Sequence, residues 1–107
     1  RMTVQRLTDE LSVSPQLSAA EVAALAASGV RALICNRPDG EGADQPNFEE
    51  IERAARAAGL EAHYLPVETG KVTDAQAAEF GALLARVPKP AVAYCRSGMR
   101  STTLWAL

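Results

Sequence analysis

Four short apolar runs alternate with three alanine-rich, amphipathic stretches along the chain. The runs are Leu11-Ser12-Val13, Ala32-Leu33-Ile34-Cys35, Ala62-His63-Tyr64-Leu65 leading into Pro66-Val67, and Ala91-Val92-Ala93-Tyr94-Cys95. They are short and flanked by turn residues, as strands are. The stretches between them carry helix punctuation. Ser18-Ala19-Ala20-Glu21 forms a capping box, after which Val22, Leu25 and Ala26 share one face, and Gly29 ends the helix. Asn47 after Pro46 caps a second helix, with Glu50 in the reciprocal position. Ile51, Ala54, Ala55 and Ala58 make its face, and Gly59 stops it. Thr73-Asp74-Ala75-Gln76 opens a third helix bearing Ala77, Phe80, Leu83, Leu84 and Val87, which Pro88 and Pro90 forbid from continuing.

Strand and helix in alternation imply an α/β domain with a four-stranded parallel sheet and right-handed crossovers. The mostly alanine faces suit close packing of helices on a sheet. The one long polar loop, Asn36 to Gln45, directly follows the second strand. Ligand sites of open parallel sheets gather at the carboxyl ends of the strands. The loop after Cys35 and the loop after Tyr94 are therefore expected on the same rim.

Length and composition narrow the classes. With 107 residues and 48% hydrophobic content the chain makes one domain, 1–107, with one core. Lys+Arg 11 against Asp+Glu 13 give a net charge of −2, so nothing electrostatic favours nucleic acid or an acidic membrane surface as partner. No apolar run approaches the roughly 18–20 residues of a membrane span. The start, Arg1-Met2-Thr3, has no signal-peptide core, so a reducing cytoplasm is the expected location. Two cysteines, Cys35 and Cys95, are too few for a disulfide framework, and no Cys/His spacing suggests a metal. No cofactor is implied. His63 is the single histidine, so a histidine-dependent hydrolase would have to use it.

The chemistry concentrates in Tyr94-Cys95-Arg96-Ser97-Gly98-Met99-Arg100-Ser101, between a buried strand and a helical pattern over Ser101–Leu107. A cysteine there sits where backbone N–H groups converge and the helix dipole is positive. Both favour the thiolate, and Arg96 and Arg100 add charge. A free thiol near about 8.5 can fall by one to several units in such surroundings. Gly98 lets the loop curl through a left-handed residue so that its amides, with those of Met99 and its neighbours, turn inward. Arg100 can offer a planar fork to an oxyanion, and the hydroxyls of Ser101 and Thr102 are placed to donate to the thiolate.

At these residues the chain resembles known families. Cys-Arg-Ser-Gly-Met-Arg-Ser is similar to the active-site loop of single-domain rhodaneses, which transfer sulfur from thiosulfate or persulfides. Leu11 to Gln16, Asn36 to Glu41, Gln45-Pro46, Pro66-Val67 and Tyr94 to Ser101 resemble the phosphatase-like domain of beta-lactamase-hydrolase-like proteins, a family also assigned to the sulfurtransferases. That resemblance covers nearly the whole chain. It implies the three-layer α/β/α fold of dual-specificity cysteine phosphatases, with the Cys95 strand central. It also implies a fused or partner metallo-β-lactamase-like persulfide dioxygenase domain. Similar family members extend the last helix beyond the position of Leu107, so the C-terminus is expected to be truncated.

Cysteine phosphatases carry Cys-x5-Arg, usually with histidine before the cysteine. Here four residues separate Cys95 from Arg100, the expected arginine position is Ser101, and Tyr94 stands where the histidine would. A tighter loop suits a persulfide on Cys95, or thiosulfate, better than a phosphoryl group in flight. A phosphatase also needs a general acid. The candidates are Asp39, Glu41, Asp44, Glu68 and Asp74, of which Asp39 reads as a turn residue and Asp74 as first-turn helix charge. The leading expectation is a thiolate-based sulfurtransferase with Cys95 and Arg100 catalytic and Arg96, Ser97, Gly98, Met99 and Ser101 forming the anion loop. Its partners are a small anionic sulfur donor and a thiol acceptor. A cysteine phosphatase is the second reading, and a non-catalytic anion- or persulfide-binding regulatory domain the third. Arg37 and Asp39 are possible accessories, Arg37 either as a cation for the donor or as a partner of Asp39 or Glu41. Cys35 and Trp105 read as core, and His63 as a packed or edge residue.

Overall fold

The computed structural model describes residues 3–107; Arg1 and Met2, and with them the start of the 1–107 domain and of the Arg1-Met2-Thr3 segment, lie outside the described residues. The four expected strands form at Leu11–Ser14 (β2), Ala32–Cys35 (β3), Glu61–Tyr64 (β4) and Ala91–Tyr94 (β5). A fifth, Gln5–Arg6 (β1), was not expected: two exposed polar residues carry no alternation to read. It pairs antiparallel with β2 and caps that edge, so the sheet has five strands in the order β1-β2-β5-β3-β4, and all but β1 are parallel.

Helices α1 (Ala19–Ala27) and α2 (Phe48–Ala57) cover one face of the sheet; α3 (Asp74–Arg86) and α4 (Met99–Ala106) cover the other. This is the three-layer α/β/α arrangement. Alternation along the strands divides the core. Ile34, Ala91 and Ala93 point with Phe80, Leu83 and Leu104 to one side, while Leu33, Val92 and Tyr94 point with Val22, Ile51 and Ala55 to the other. All four residues of β3 and of β5 are buried, as central parallel strands covered on both faces must be. The capping boxes at Ser18/Glu21 and Thr73/Gln76 form in full. At α2 the Asn47 side chain accepts from the Glu50 N–H, but the structure records no returning bond from Glu50.

Two expectations about α4 are corrected. The helix begins at Met99 rather than Ser101, which puts Arg100 in its first turn. Trp105 is not core: it is 41% exposed, whereas Arg100, Ser101 and Leu104 are buried. One residue past Leu104 is a rotation of about 100° around the helix, enough to carry the indole off the face that meets the sheet. Among the described residues, no helix is long and apolar enough to cross a membrane.

The parallel register aligns the carboxyl ends of the strands: Ser14 pairs with Tyr94, Tyr94 with Cys35, and Cys35 with Tyr64. The chain leaves all four at one rim. Ile34 lies at the centre of this arrangement with no exposed surface. Ile34→Ala should lower the free energy of unfolding by about 2–5 kcal/mol, the usual cost of a large-to-small change in a close-packed core. Urea denaturation would measure it, and a loss below about 1 kcal/mol would place β3 outside the core.

Candidate active site

β5 delivers Cys95 to the rim as its next residue. Its N–H donates to Ser14 O at 3.3 Å, while Asn36 N–H donates to Tyr94 O at 2.8 Å, so both neighbouring strands hold the chain until the loop departs. Gly98, at φ +95°, ends the loop and is the N-cap of α4. It brings no side-chain cap of its own; Met99 N–H reaches Ser97 Oγ at 3.4 Å, and the N–H groups of Arg100 and Ser101 remain free for another acceptor. That acceptor is the Cys95 sulfur. Gly98 N–H donates to Sγ at 3.0 Å, and the amides of Ser101, Arg100 and Ser97 also act on it. Burial alone would push the Cys95 thiol up. The amides of Ser101, Arg100, Gly98 and Ser97 outweigh it and hold the thiol below its ordinary value.

The sulfur is covered but not in the apolar core. Cys95 is 1% exposed, yet it belongs to neither hydrophobic cluster. Its cover is polar. Arg100, 7% exposed, acts on the Cys95 thiolate as an opposite charge and hydrogen-bond donor. Its fork closes on Glu41 with both oxygens, Nη1–Oε2 at 2.7 Å and Nη2–Oε1 at 2.8 Å, while Nη1 also donates to Val67 O at 2.9 Å. Arg37 reaches the same carboxylate through Nε at 3.2 Å and donates from Nη1 to Gln16 Oε1 at 3.1 Å. Gly42 makes room for it: a Cβ there would stand 3.0 Å from Arg37 Nη2. Arg100, then Arg37, hold Glu41 ionised and its carboxyl below the usual range.

The remaining residues fall into place around this chain of charges. Asp39 does not pair with Arg37. Its Oδ1 accepts from the Phe48 N–H at 2.8 Å and its own N–H donates to the Tyr64 hydroxyl at 2.9 Å, with the Tyr64 ring stacked on Phe48. It shapes the loop. Ser101 and Thr102 do not turn their hydroxyls to the sulfur: Ser101 Oγ donates to Asn36 Oδ1 at 2.8 Å and Thr102 Oγ1 to Gly98 O at 2.9 Å. A helical hydroxyl finds an i−4 carbonyl or a buried neighbour first, so Ser101 serves Cys95 through its backbone. Arg96, Ser97 and Met99 are exposed and line, with Thr69, Gly70, Val72, Arg100 and Thr103, a cavity of about 540 Å³ beside the loop. Cys35 is buried among apolar side chains, its thiol pushed up by burial, and donates to Arg37 O at 3.3 Å. His63 is half-buried on the edge strand against Glu61.

Asn36 was missed by sequence reasoning. It has no exposed surface, and it joins three strands' loops by donating from Nδ2 to Leu65 O at 2.9 Å and accepting from Ser101. A polar residue placed directly after a fully apolar strand was the available signal. The pairing of Glu41 with Arg100, 59 positions apart, left no such mark.

Comparison with known proteins agrees with this geometry. Residues 3–107 match the family model described as beta-lactamase hydrolase-like protein, phosphatase-like domain. A beta-lactamase hydrolase-like protein of Agrobacterium fabrum is 33% identical over 106 residues, which are 99% of this chain and 25% of that protein; the chain thus spans a quarter of its relative's length. A crystal structure from Neisseria meningitidis Z2491, provisionally described as a phosphatase, is 35% identical with a TM-score of 0.92, covering 98% of this chain and 75% of that one. The active form of Tk-PTP, 18% identical with a TM-score of 0.68, covers 89% of this chain and 63% of that one, and shares the fold.

Two outcomes test the cradle. Thiolate absorbance followed against pH, with Cys95→Ser as the blank, should give a midpoint below the roughly 8.5 of free cysteine. Since the native value is depressed, the thiolate should persist to a lower pH than that of a free cysteine and give way to the thiol only below that midpoint; a midpoint above about 8.5 would refute the cradle. Gly98→Ala meets no clash, its nearest neighbour being Ser14 backbone at 3.5 Å, but must hold φ +95°. It should cost about 1–2 kcal/mol of stability and raise the Cys95 midpoint.

Proposed function

The chain belongs to the beta-lactamase hydrolase-like, phosphatase-like domain family, and from that premise we propose that it is a cysteine-dependent sulfurtransferase. The Cys95 thiolate attacks the outer, sulfane sulfur of a persulfide or of thiosulfate. A new S–S bond forms on Cys95 as the old one breaks, and the electron pair leaves with the donor's thiolate, or with sulfite. The Cys95 persulfide then gives its outer sulfur to a thiol acceptor, restoring the thiolate. Neither step needs a general acid for a poor leaving group, and neither needs a cofactor.

The observation that carries this reading is the loop. Backbone amides bind the sulfur itself, and the arginine follows after four residues, one fewer than a phosphoryl cradle uses. The carboxylates support it. Glu41 is held ionised by Arg100 and Arg37, Asp39 accepts from the start of α2, Glu68 pairs at the surface with Lys71, and Asp74 sits in the first turn of α3. Among the described residues, neither these four nor Asp44 is recorded in a hydrogen bond to Cys95.

The names of the relatives favour a second reading, a cysteine phosphatase acting as a hydrolase. The family is described as phosphatase-like, and the 35% identical structure is provisionally a phosphatase. A fused or partner persulfide dioxygenase is a further proposal, compatible with relatives four times the length of this chain.

Incubation with glutathione persulfide should add one sulfur atom to Cys95, seen by mass spectrometry and removed by a thiol. Cys95→Ser should abolish both the adduct and turnover. Arg100→Ala should lower kcat/KM for the persulfide by about 1.5–3 kcal/mol, roughly tenfold to a hundredfold, the loss of one charged hydrogen bond. Turnover of para-nitrophenyl phosphate with no adduct would establish the phosphatase instead, and no reaction with either substrate would leave a binding domain.

A further inference from the structure

Glu41 takes no part in the steps above, yet it holds the place a substrate anion would take. Its carboxylate fills the fork of Arg100 with both oxygens, at 2.7 and 2.8 Å, and shares Oε1 with Arg37 at 3.2 Å. A guanidinium fork presents the same two parallel donors to any oxyanion, so a carboxylate seated there competes with carboxylate, sulfonate and phosphate alike. Nor is it a wandering side chain. The Glu41 and Gly42 N–H groups both donate to Gln45 Oε1 at 3.1 Å, and Gln45 Nε2 closes the loop on Pro38 O at 2.9 Å. The two arginine side chains are each 7% exposed and that of Glu41 25%, so solvent screens the trio weakly.

The charges of Arg37, Arg100, Glu41 and the Cys95 thiolate cancel. A dianion entering this seat meets one net positive charge from the trio and one negative charge on the sulfur it must approach. We propose that Glu41 is the specificity-determining residue of the site: an internal carboxylate in the fork of Arg100 that selects neutral or singly charged donors, alkyl hydropersulfides and their anions, against dianions such as thiosulfate and phosphate monoesters. The donor class rests on the sulfurtransferase reading; the discrimination by charge does not.

Isothermal titration with sulfate and with nitrate, neither of which can give sulfane sulfur, tests the charge rule apart from the chemistry. Glu41→Gln keeps the size of the side chain and removes its charge. It should bind sulfate at least about fivefold more tightly than the wild type, with a smaller gain for nitrate. Glu41→Asp, which keeps the charge, should fall short of that gain. A sulfate affinity in Glu41→Gln that is unchanged, lower or raised less than fivefold would overturn the proposal and leave Glu41 as a residue that merely positions Arg100. Should the Gln variant not fold, the wild type answers alone: it should prefer sulfate over nitrate by no more than about threefold, and a larger preference would overturn the rule. Failure of the persulfide adduct with the sulfate result intact would reject the sulfur chemistry and keep the selectivity.

Discussion

The arrangement turns on a sulfur held away from bulk water whose charged form is favoured by peptide N–H groups. A thiolate moved from water into an apolar interior would be neutralised by proton uptake, because burial alone penalises the charged form. At Cys95 burial is nearly complete, and the amides of Ser101, Arg100, Gly98 and Ser97 reverse its effect. These donors come from the backbone, so their supply is set by chain path rather than by side-chain identity. That path requires a strand ending at Tyr94, one left-handed residue at Gly98, and a helix that starts at once without a side-chain cap. A serine or aspartate cap at position 98 would compete for the very donors the sulfur uses.

The ion cluster ties together loops distant in sequence. Arg100 sits on α4, Glu41 and Arg37 on the loop after β3, and Val67 O follows β4. Each buried guanidinium would be costly alone, and burying a charged pair gives little net stability when its hydrogen bonds are incomplete. Here the carboxylate accepts three bonds, and Arg100 and Arg37 each make one further bond, to Val67 O and to Gln16. Such a cluster contributes more to fixing geometry than to holding the domain folded. The apolar layers on the two faces of β3 and β5 carry the stability.

Local features were readable from sequence in proportion to how local their causes are. The caps at Ser18, Asn47 and Thr73 depend on residues three apart, and all three form. The buried strands announced themselves by composition, and the alternation of strand and helix implied that β2 to β5 run parallel, though not the order in which they lie. β1 was invisible because Gln5 and Arg6 have no apolar face, and an edge pairing needs none. Trp105 misled because a large aromatic is usually interior, while a helix of eight residues has only one narrow face to bury. The carboxylate seated on Arg100 could not be seen at all. Glu41 had weight as an acid candidate and as a partner for Arg37, but the contact that defines it spans 59 positions and exists only once β3 and β5 lie side by side.

On the proposed sulfurtransferase reading, that contact also bears on how this fold would favour sulfur over phosphoryl transfer. Phosphoryl transfer asks a cysteine loop to enclose three equatorial oxygens with developing charge, and a free arginine fork supplies the missing donors. Sulfur transfer asks for less. The transferred atom is a single soft sulfur, and the charge that starts on Cys95 passes to a leaving group that is itself a stable anion, a thiolate or sulfite. A loop with one residue fewer contracts the cradle around that sulfur, and a carboxylate in the arginine fork occupies space that a phosphoryl group would need. Both departures act in the same direction, and they sit on different elements, α4 and the loop after β3, so neither is a by-product of the other. On the sulfurtransferase reading proposed above, a phosphatase of the Cys-x5-Arg kind differs at both: in the length of the turn between cysteine and arginine, and in an arginine fork left open to substrate.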